Sequence, residues 1–155
     1  MNITRSGILL VEDNADDEAL TCRALRRHRL LNEITVVRDG AEALDYIFAR
    51  DLFAARDVLD QPTVVLLDLN LPKISGMDVL RAIRADPRTE FLPVVIMTSS
   101  REETDLLGGY AGGANSYVVK PVEFDEFSEK VKQLGLYWLL TNEPLTIGRD
   151  ADGES

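Results

Sequence analysis

A single cysteine, Cys22, stands among 155 residues, so no internal disulfide can form and a reducing compartment, by default the cytoplasm, is expected. With only one histidine beside it, the chain lacks the imidazole and thiolate ligands that transition-metal sites draw on. No apolar stretch approaches the roughly 20 residues that a bilayer span requires, so no membrane partner is expected. Met1-Asn2-Ile3-Thr4-Arg5 also lacks the apolar core of a signal peptide. Basic side chains are scarce: 17 Lys and Arg face 27 Asp and Glu, a formal net charge of -10. So acidic a chain repels a phosphate backbone, which argues against nucleic acid as a partner. The one basic patch, Arg23 with Arg26, Arg27 and Arg29, closes the first predicted helix. There the cations suit the helix dipole, or form an edge that greets an acidic protein.

What the chain does have is apolar runs in regular alternation with amphipathic stretches. The patterns predict strands over 7–12, 33–38, 63–68, 93–98 and 116–120, and helices over 15–30, 40–53, 76–86, 102–112 and 123–140. Unbroken alternation of this kind builds parallel βαβ units in one α/β domain. Val64-Val65-Leu66-Leu67 and Val94-Val95-Ile96-Met97 are continuously apolar, as strands covered on both faces are. Asn14 with Asp17, Ser75 with Asp78 and Ser100 with Glu103 carry the spacing of helix caps. Met77, Leu80 and Ile83 mark one buried helix face, and Phe127, Val131, Leu134 and Trp138 another. Cys22 reads as a helix packing residue. Residues 54–62 form a long charged connection. Gly108-Gly109 and Gly112-Gly113 weaken the predicted helix over 102–112, since each glycine costs a helix interior about 1 kcal/mol relative to alanine. The last ten residues, 146–155, have no apolar period and are expected to be disordered.

The chemistry gathers where the strands end. Glu12 and Asp13 follow Ile8-Leu9-Leu10-Val11; Asp68 ends the third run; Thr98 ends the fourth; Lys120-Pro121 follows Tyr117-Val118-Val119. Open α/β sheets place their sites at this carboxyl edge. Crowded carboxylates resist ionising together unless a cation compensates them. A hard ion such as Mg²⁺ takes oxygen ligands and usually one or two carboxylates. Asp13 and Asp68 could ligate it directly, Glu12 through water, and the Asn70 carbonyl could complete the protein ligands. A carboxylate can also attack phosphorus to give an acyl phosphate, and Lys120 would screen its approach while Thr98 offers a hydroxyl to a phosphoryl oxygen. Ser99 is small enough to leave the approach open, and Asn70 and Ser100 could influence how water reaches the product. His28 lies among arginines and is expected to be solvated rather than to carry phosphate.

Leu10-Val11-Glu12-Asp13-Asn14, Leu66-Leu67-Asp68-Leu69-Asn70-Leu71-Pro72, Gly76, Met97-Thr98-Ser99 and Val119-Lys120-Pro121 together resemble the receiver domain of two-component response regulators, over roughly residues 7–140. The resemblance implies a doubly wound, flavodoxin-like sheet of five parallel strands in the order 2-1-3-4-5. It implies Asp68 as phosphoacceptor, Glu12 and Asp13 as the acidic pocket, Thr98 as switch hydroxyl, Tyr117 as aromatic switch, and Lys120 as phosphate-binding lysine before a cis bond to Pro121. Mg²⁺ is the implied cofactor and a sensor histidine kinase the implied phosphodonor.

Asp68-Leu-Asn-Leu-Pro-Lys, Ala114-Asn115-Ser116-Tyr117 and Leu136-Tyr137-Trp138-Leu139-Leu140 look like the small stand-alone regulators paired with phytochrome-type sensor kinases. That likeness implies a receiver over 1–145 with a C-terminal extension from about 138. It also implies a homodimer through the predicted helix over 102–112, the last strand, the last helix and that extension. With no room after residue 140 for a DNA-binding module, output is expected to pass through protein contacts or onward phosphotransfer. Three rival readings are an aspartyl-phosphate hydrolase, a phosphorylation-independent binding module and a flavin-binding flavodoxin relative. The first wants a second acid where Asn70 stands, and the last wants a phosphate loop where Glu12-Asp13 would repel phosphate.

Overall fold

The computed structural model describes residues 7–26, 33–100 and 113–136. Five strands, β1 (Ile8–Val11), β2 (Ile34–Val37), β3 (Val64–Asp68), β4 (Val94–Thr98) and β5 (Ser116–Val119), form one sheet in the order β2-β1-β3-β4-β5. Every neighbouring pair is parallel. Helices α1 (Ala15–Arg26), α2 (Gly40–Ile47), α3 (Gly76–Ala85) and α4 (Phe124–Gln133) cover both faces. The expected order and class therefore hold. The predicted helix over 102–112, its Ser100–Glu103 cap, His28 and the extension from 138 lie outside the described residues.

Alternation along each strand divides the core in two. Leu9, Val11, Val65, Leu67, Val94 and Ile96 pack with Ala43 and Ile47 of α2 and with Val79, Leu80 and Ile83 of α3. Ile8, Leu10, Val64, Leu66, Val95, Met97 and Val118 pack with Cys22 and Leu25 of α1 and with Phe127 and Val131 of α4. Cys22 is a buried packing residue. All five residues of β3 and of β4 are buried, the signature of central strands covered on both sides.

The helix starts follow their caps. Asn14 Oδ1 accepts the Asp17 N–H at 2.9 Å, and Ser75 Oγ accepts the Asp78 N–H at 3.2 Å. A further cap joins them, with Asp39 Oδ1 accepting the Glu42 N–H at 2.7 Å. Two helix ends differ from the predicted ones. The helix expected over 40–53 stops at Ile47, because Ala49 and Asp51 turn to left-handed φ of 54° and 51°. A short 3-10 turn, Asp51–Phe53, follows, and Phe53 meets Tyr46 edge to face with ring centroids 5.1 Å apart. Arg56 lies over the Tyr46 ring at 3.9 Å and stitches down the long connection. The helix expected to run to 140 stops at Gln133. Gly135, at φ 75°, closes it: its N–H donates to Lys132 O and the Leu136 N–H to Val131 O, both at 3.0 Å, a Schellman pair. Phe127 and Val131 are buried as expected, Leu134 packs beside them, and Trp138 falls outside the described residues.

Gly76 matters for what the sheet presents. A Cβ there would sit 2.4 Å from the Asp68 carbonyl oxygen and 2.8 Å from Leu69 Cα. Only glycine lets α3 begin this close to the end of β3. Gly76→Ala is expected to lower stability by roughly 1–3 kcal/mol, as overpacking against backbone does. A drop in the urea midpoint at unchanged m-value would show it; an unshifted midpoint would mean that the junction yields freely.

Candidate functional site

The ladder holds the site residues even where the strands formally end. The Glu12 N–H donates to Val37 O at 3.0 Å, Leu69 to Met97 O at 3.1 Å and Lys120 to Thr98 O at 2.8 Å. The register sets Leu67 beside Val11, so Asp68 and Glu12 come level on neighbouring strands. Glu12 is fully buried and Asp68 nearly so, whereas Asp13 is exposed.

Among the described residues, Lys120 is the cation at the two buried acids. Lys120 Nζ lies 3.1 Å from Asp68 Oδ2, 3.2 Å from Asp17 Oδ2 and 3.3 Å from Glu12 Oε1. The remaining carboxylate oxygens take backbone donors: Glu12 Oε2 accepts the Asn14 N–H and Asp68 Oδ1 the Asn70 N–H, each at 3.1 Å. The second of these folds residue 70 back beside the Asp68 carboxylate. Burial pushes the Glu12 carboxyl up to about 7, a shift increased by its hydrogen bond with Asp68 and opposed by the Asn14 N–H and the Lys120 charge. Burial works against the Lys120 ammonium, yet the attraction and hydrogen bond of Asp68, then the charge of Glu12, raise its pKa above the ordinary lysine value.

Glu12, Asp13 and Asp68 can each bring one carboxylate oxygen within 4.8 Å of the others. The donor set is all oxygen and anionic, which fits a hard divalent cation and not a soft one. Burial first and the hydrogen bond with Asp68 second raise the Glu12 carboxyl, so its ionised form calls for more positive charge nearby. An added dication supplies it.

Of the other expected residues, Thr98 is fully buried at the end of β4, and its Oγ1 donates to Ser100 O at 3.1 Å. Ser99 is exposed. The Lys120–Pro121 peptide is cis. Tyr117 does not join the charge cluster; partly buried, it packs on the α2/α3 side of the sheet. Asp17 was read from the sequence only as the partner of a cap. Its place in the first turn of α1, at the same sheet edge, was the available signal for more. Of the basic patch, Arg23 and Arg26 are described, both exposed on the last turn of α1.

Comparison with known proteins gives the chain its relatives. The family model for the response regulator receiver domain matches residues 8–132. The solved bacteriophytochrome response regulator RtBRR is 48% identical, with a TM-score of 0.83 covering 91% of this chain and 84% of that one. The bacteriophytochrome response regulator AtBRR is 46% identical, with a TM-score of 0.81 covering 90% of this chain and 99% of that one. Response regulator Rcp1 of Synechocystis sp. is 32% identical over 134 residues, 86% of this chain and 89% of its own length. The Mn²⁺-bound form of Rcp1 superposes with a TM-score of 0.68 at 31% identity, covering 90% of this chain and 98% of that one.

The raised Glu12 carboxyl has a stability consequence of definite sign. In metal-free protein the folded state holds a proton that the unfolded chain releases near 4.5, so Glu12's contribution falls as pH rises from about 4.5 to about 7. The loss is on the order of 1–3 kcal/mol. Urea unfolding across that window with a chelator present should show the decline in wild type and a flatter profile in Glu12→Gln. Equal slopes in the two proteins would contradict it.

Proposed function

This chain belongs to the response regulator receiver domain family, and on that premise we propose that it accepts a phosphoryl group from a sensor histidine kinase onto Asp68. The observation that carries the reading is the Lys120 ammonium 3.1 Å from Asp68 Oδ2 in a nearly closed anionic pocket. In the transfer, an Asp68 carboxylate oxygen forms the new P–O bond. The P–N bond to the kinase imidazole breaks, and its electron pair returns to the ring nitrogen. Lys120 stands where it can bind a phosphoryl oxygen as charge builds there, a use that suits a mobile point charge. The Asn70 N–H steadies the second carboxylate oxygen, and Thr98 supplies a hydroxyl at the neighbouring strand end.

Mg²⁺ is the proposed cofactor, held by Asp13 and Asp68, with Glu12 and the Asn70 carbonyl as further ligands. When bound, the ion screens the approach of the anionic phosphoryl group to the anionic rim. The acid cluster supports this, as does the Mn²⁺-bound form of the relative Rcp1. The likeness to bacteriophytochrome response regulators supports a phytochrome-type kinase as donor. We read Thr98 and Tyr117 as the switch that carries phosphorylation to a protein or phosphotransfer partner, with a homodimer and the cytoplasm as setting. Among the described residues no helix is long and apolar enough to cross a membrane.

Incubation with a labelled kinase or a small phosphodonor should give Mg²⁺-dependent label on wild type and none on Asp68→Asn. Lys120→Ala should slow labelling about ten- to hundredfold, the cost of one charge-assisted hydrogen bond. Label that persists on Asp68→Asn would remove Asp68 from its role. Partner binding in Asp68→Asn that matches wild type, with no label on either protein, would favour a phosphorylation-independent module.

A further inference from the structure

We propose that Asp17 is a positioning residue for Lys120: the resting-state anion that holds one of its protons and gives it up when a phosphoryl group arrives on Asp68. This rests on the reading of Asp68 as phosphoacceptor and adds a residue to it.

An ammonium has three hydrogens to donate, and Lys120 has three acceptors at nearly equal distances: Asp68 Oδ2 at 3.1 Å, Asp17 Oδ2 at 3.2 Å and Glu12 Oε1 at 3.3 Å. All its donors are committed in the unmodified chain. To bind a phosphoryl oxygen, Lys120 must leave one acceptor, and the three differ in what leaving costs. Until the P–O bond forms Asp68 is still a carboxylate, and the Glu12 and Asp68 side chains are 0% and 3% exposed, so either one abandoned as the donor binds has no bulk water to turn to. The Asp17 side chain is 36% exposed, and water can replace the ammonium on it. Asp17 is therefore the partner that Lys120 releases.

The fold supplies Asp17 deliberately. Alternation puts Asp68 and Lys120 on the face of the sheet that α1 covers, and α1 begins three residues after Glu12. Asn14 Oδ1 caps the Asp17 N–H at 2.9 Å, fixing the residue in the first turn, where the helix dipole favours an anion. The same turn carries Asp16, exposed, with the same charge and one position away. Asp16 offers a control that changes the helix start and the net charge without touching Lys120.

The exchange of a partly exposed ion pair for a phosphoryl contact sets the size of the effect, about two- to fivefold. The experiment compares wild type, Asp17→Asn and Asp16→Asn, each also in a Lys120→Met background. Labelling by acetyl phosphate at saturating Mg²⁺ is the first readout. Asp17→Asn should lower the half-saturating donor concentration about two- to fivefold, Asp16→Asn should leave it unchanged, and the Asp17 effect should vanish with Lys120→Met. Equal behaviour of the two aspartate variants, or a raised half-saturation in Asp17→Asn, would overturn the proposal. The second readout is the urea midpoint of the same six proteins unphosphorylated, which tests the pairing without any phosphotransfer. Effects of Asp17→Asn and Lys120→Met that simply add would sink the pairing itself. A wild type that takes no Asp68-dependent label, while the midpoints remain coupled, would overturn the phosphoacceptor reading and with it Asp17's release, leaving only the ion pair.

Discussion

Charge compensation at the end of β3 is the constraint on which the rest of this molecule depends. Burying a carboxylate without a partner is costly enough that the group gives up its charge instead. Glu12 sits near that limit, with its carboxyl raised to about 7. The Asn14 N–H and the Lys120 charge keep it from going further. The Lys120 ammonium reaches Asp68 at the end of β3 and Glu12 and Asp17 in the stretch from β1 into α1, so one side chain after β5 ties together segments distant in sequence. Breaking such a buried pair by removing one partner strands the other charge, so Lys120 holds the cluster together structurally whatever else it does. The arrangement is not one that stability alone would select, because an apolar core of similar volume would do as well or better. It keeps anionic oxygens near one another, an arrangement that a divalent cation fits.

That arrangement depends on how far the sheet's order extends. Glu12, Leu69 and Lys120 all lie one residue beyond their strands, where side chains usually wander with the loop. Here each backbone N–H still donates to the neighbouring strand, so the ladder's register dictates where the side chains sit. Gly76 continues the same logic from the other side, letting α3 start against the Asp68 carbonyl. Asn70 and Asn14 then spend their own N–H groups on the Asp68 and Glu12 carboxylates. Backbone geometry, rather than side-chain packing, fixes the acids.

The fold class, the strand positions and the charged strand ends were legible in the sequence because each rests on a periodic or chemical signal of its own. The buried runs of β3 and β4 could be little else, and their terminal Asp68 and Thr98 stood out by contrast. The strand order came from family resemblance; periodicity carries no information about it. Helix ends were less legible. Nothing in Ala49 and Asp51 announces a left-handed backbone, since neither is glycine; the turn they make sits beside the packed Tyr46, Phe53 and Arg56. Gly135 does announce one, and the apolar stripe through Trp138 runs past it. Asp17 was missed for another reason: a cap-box position explained it fully, and a residue with one sufficient role invites no second.

The alternation of the strands has a last consequence for how a change at Asp68 can travel. Glu12, Asp68 and Lys120 share the parity of Leu10, Leu66 and Val118, whose side chains pack toward α1 and α4. Tyr117 has the opposite parity and packs against the cluster on the α2/α3 side to which Leu9, Val65 and Ile96 belong, and Thr98 shares that parity with Ile96. The charge cluster and the aromatic ring therefore lie on opposite faces of the same sheet. With β4 between their strands and the sheet between their side chains, a phosphoryl group proposed on Asp68 would not touch Tyr117 directly. In the proposed switch Thr98 would link them, since it is fully buried at the strand end between Asp68 and Lys120, where the two faces meet around the sheet's edge. A hydroxyl there is small enough to move within a packed core and polar enough to answer a new anion, which is what a relay between the two faces requires.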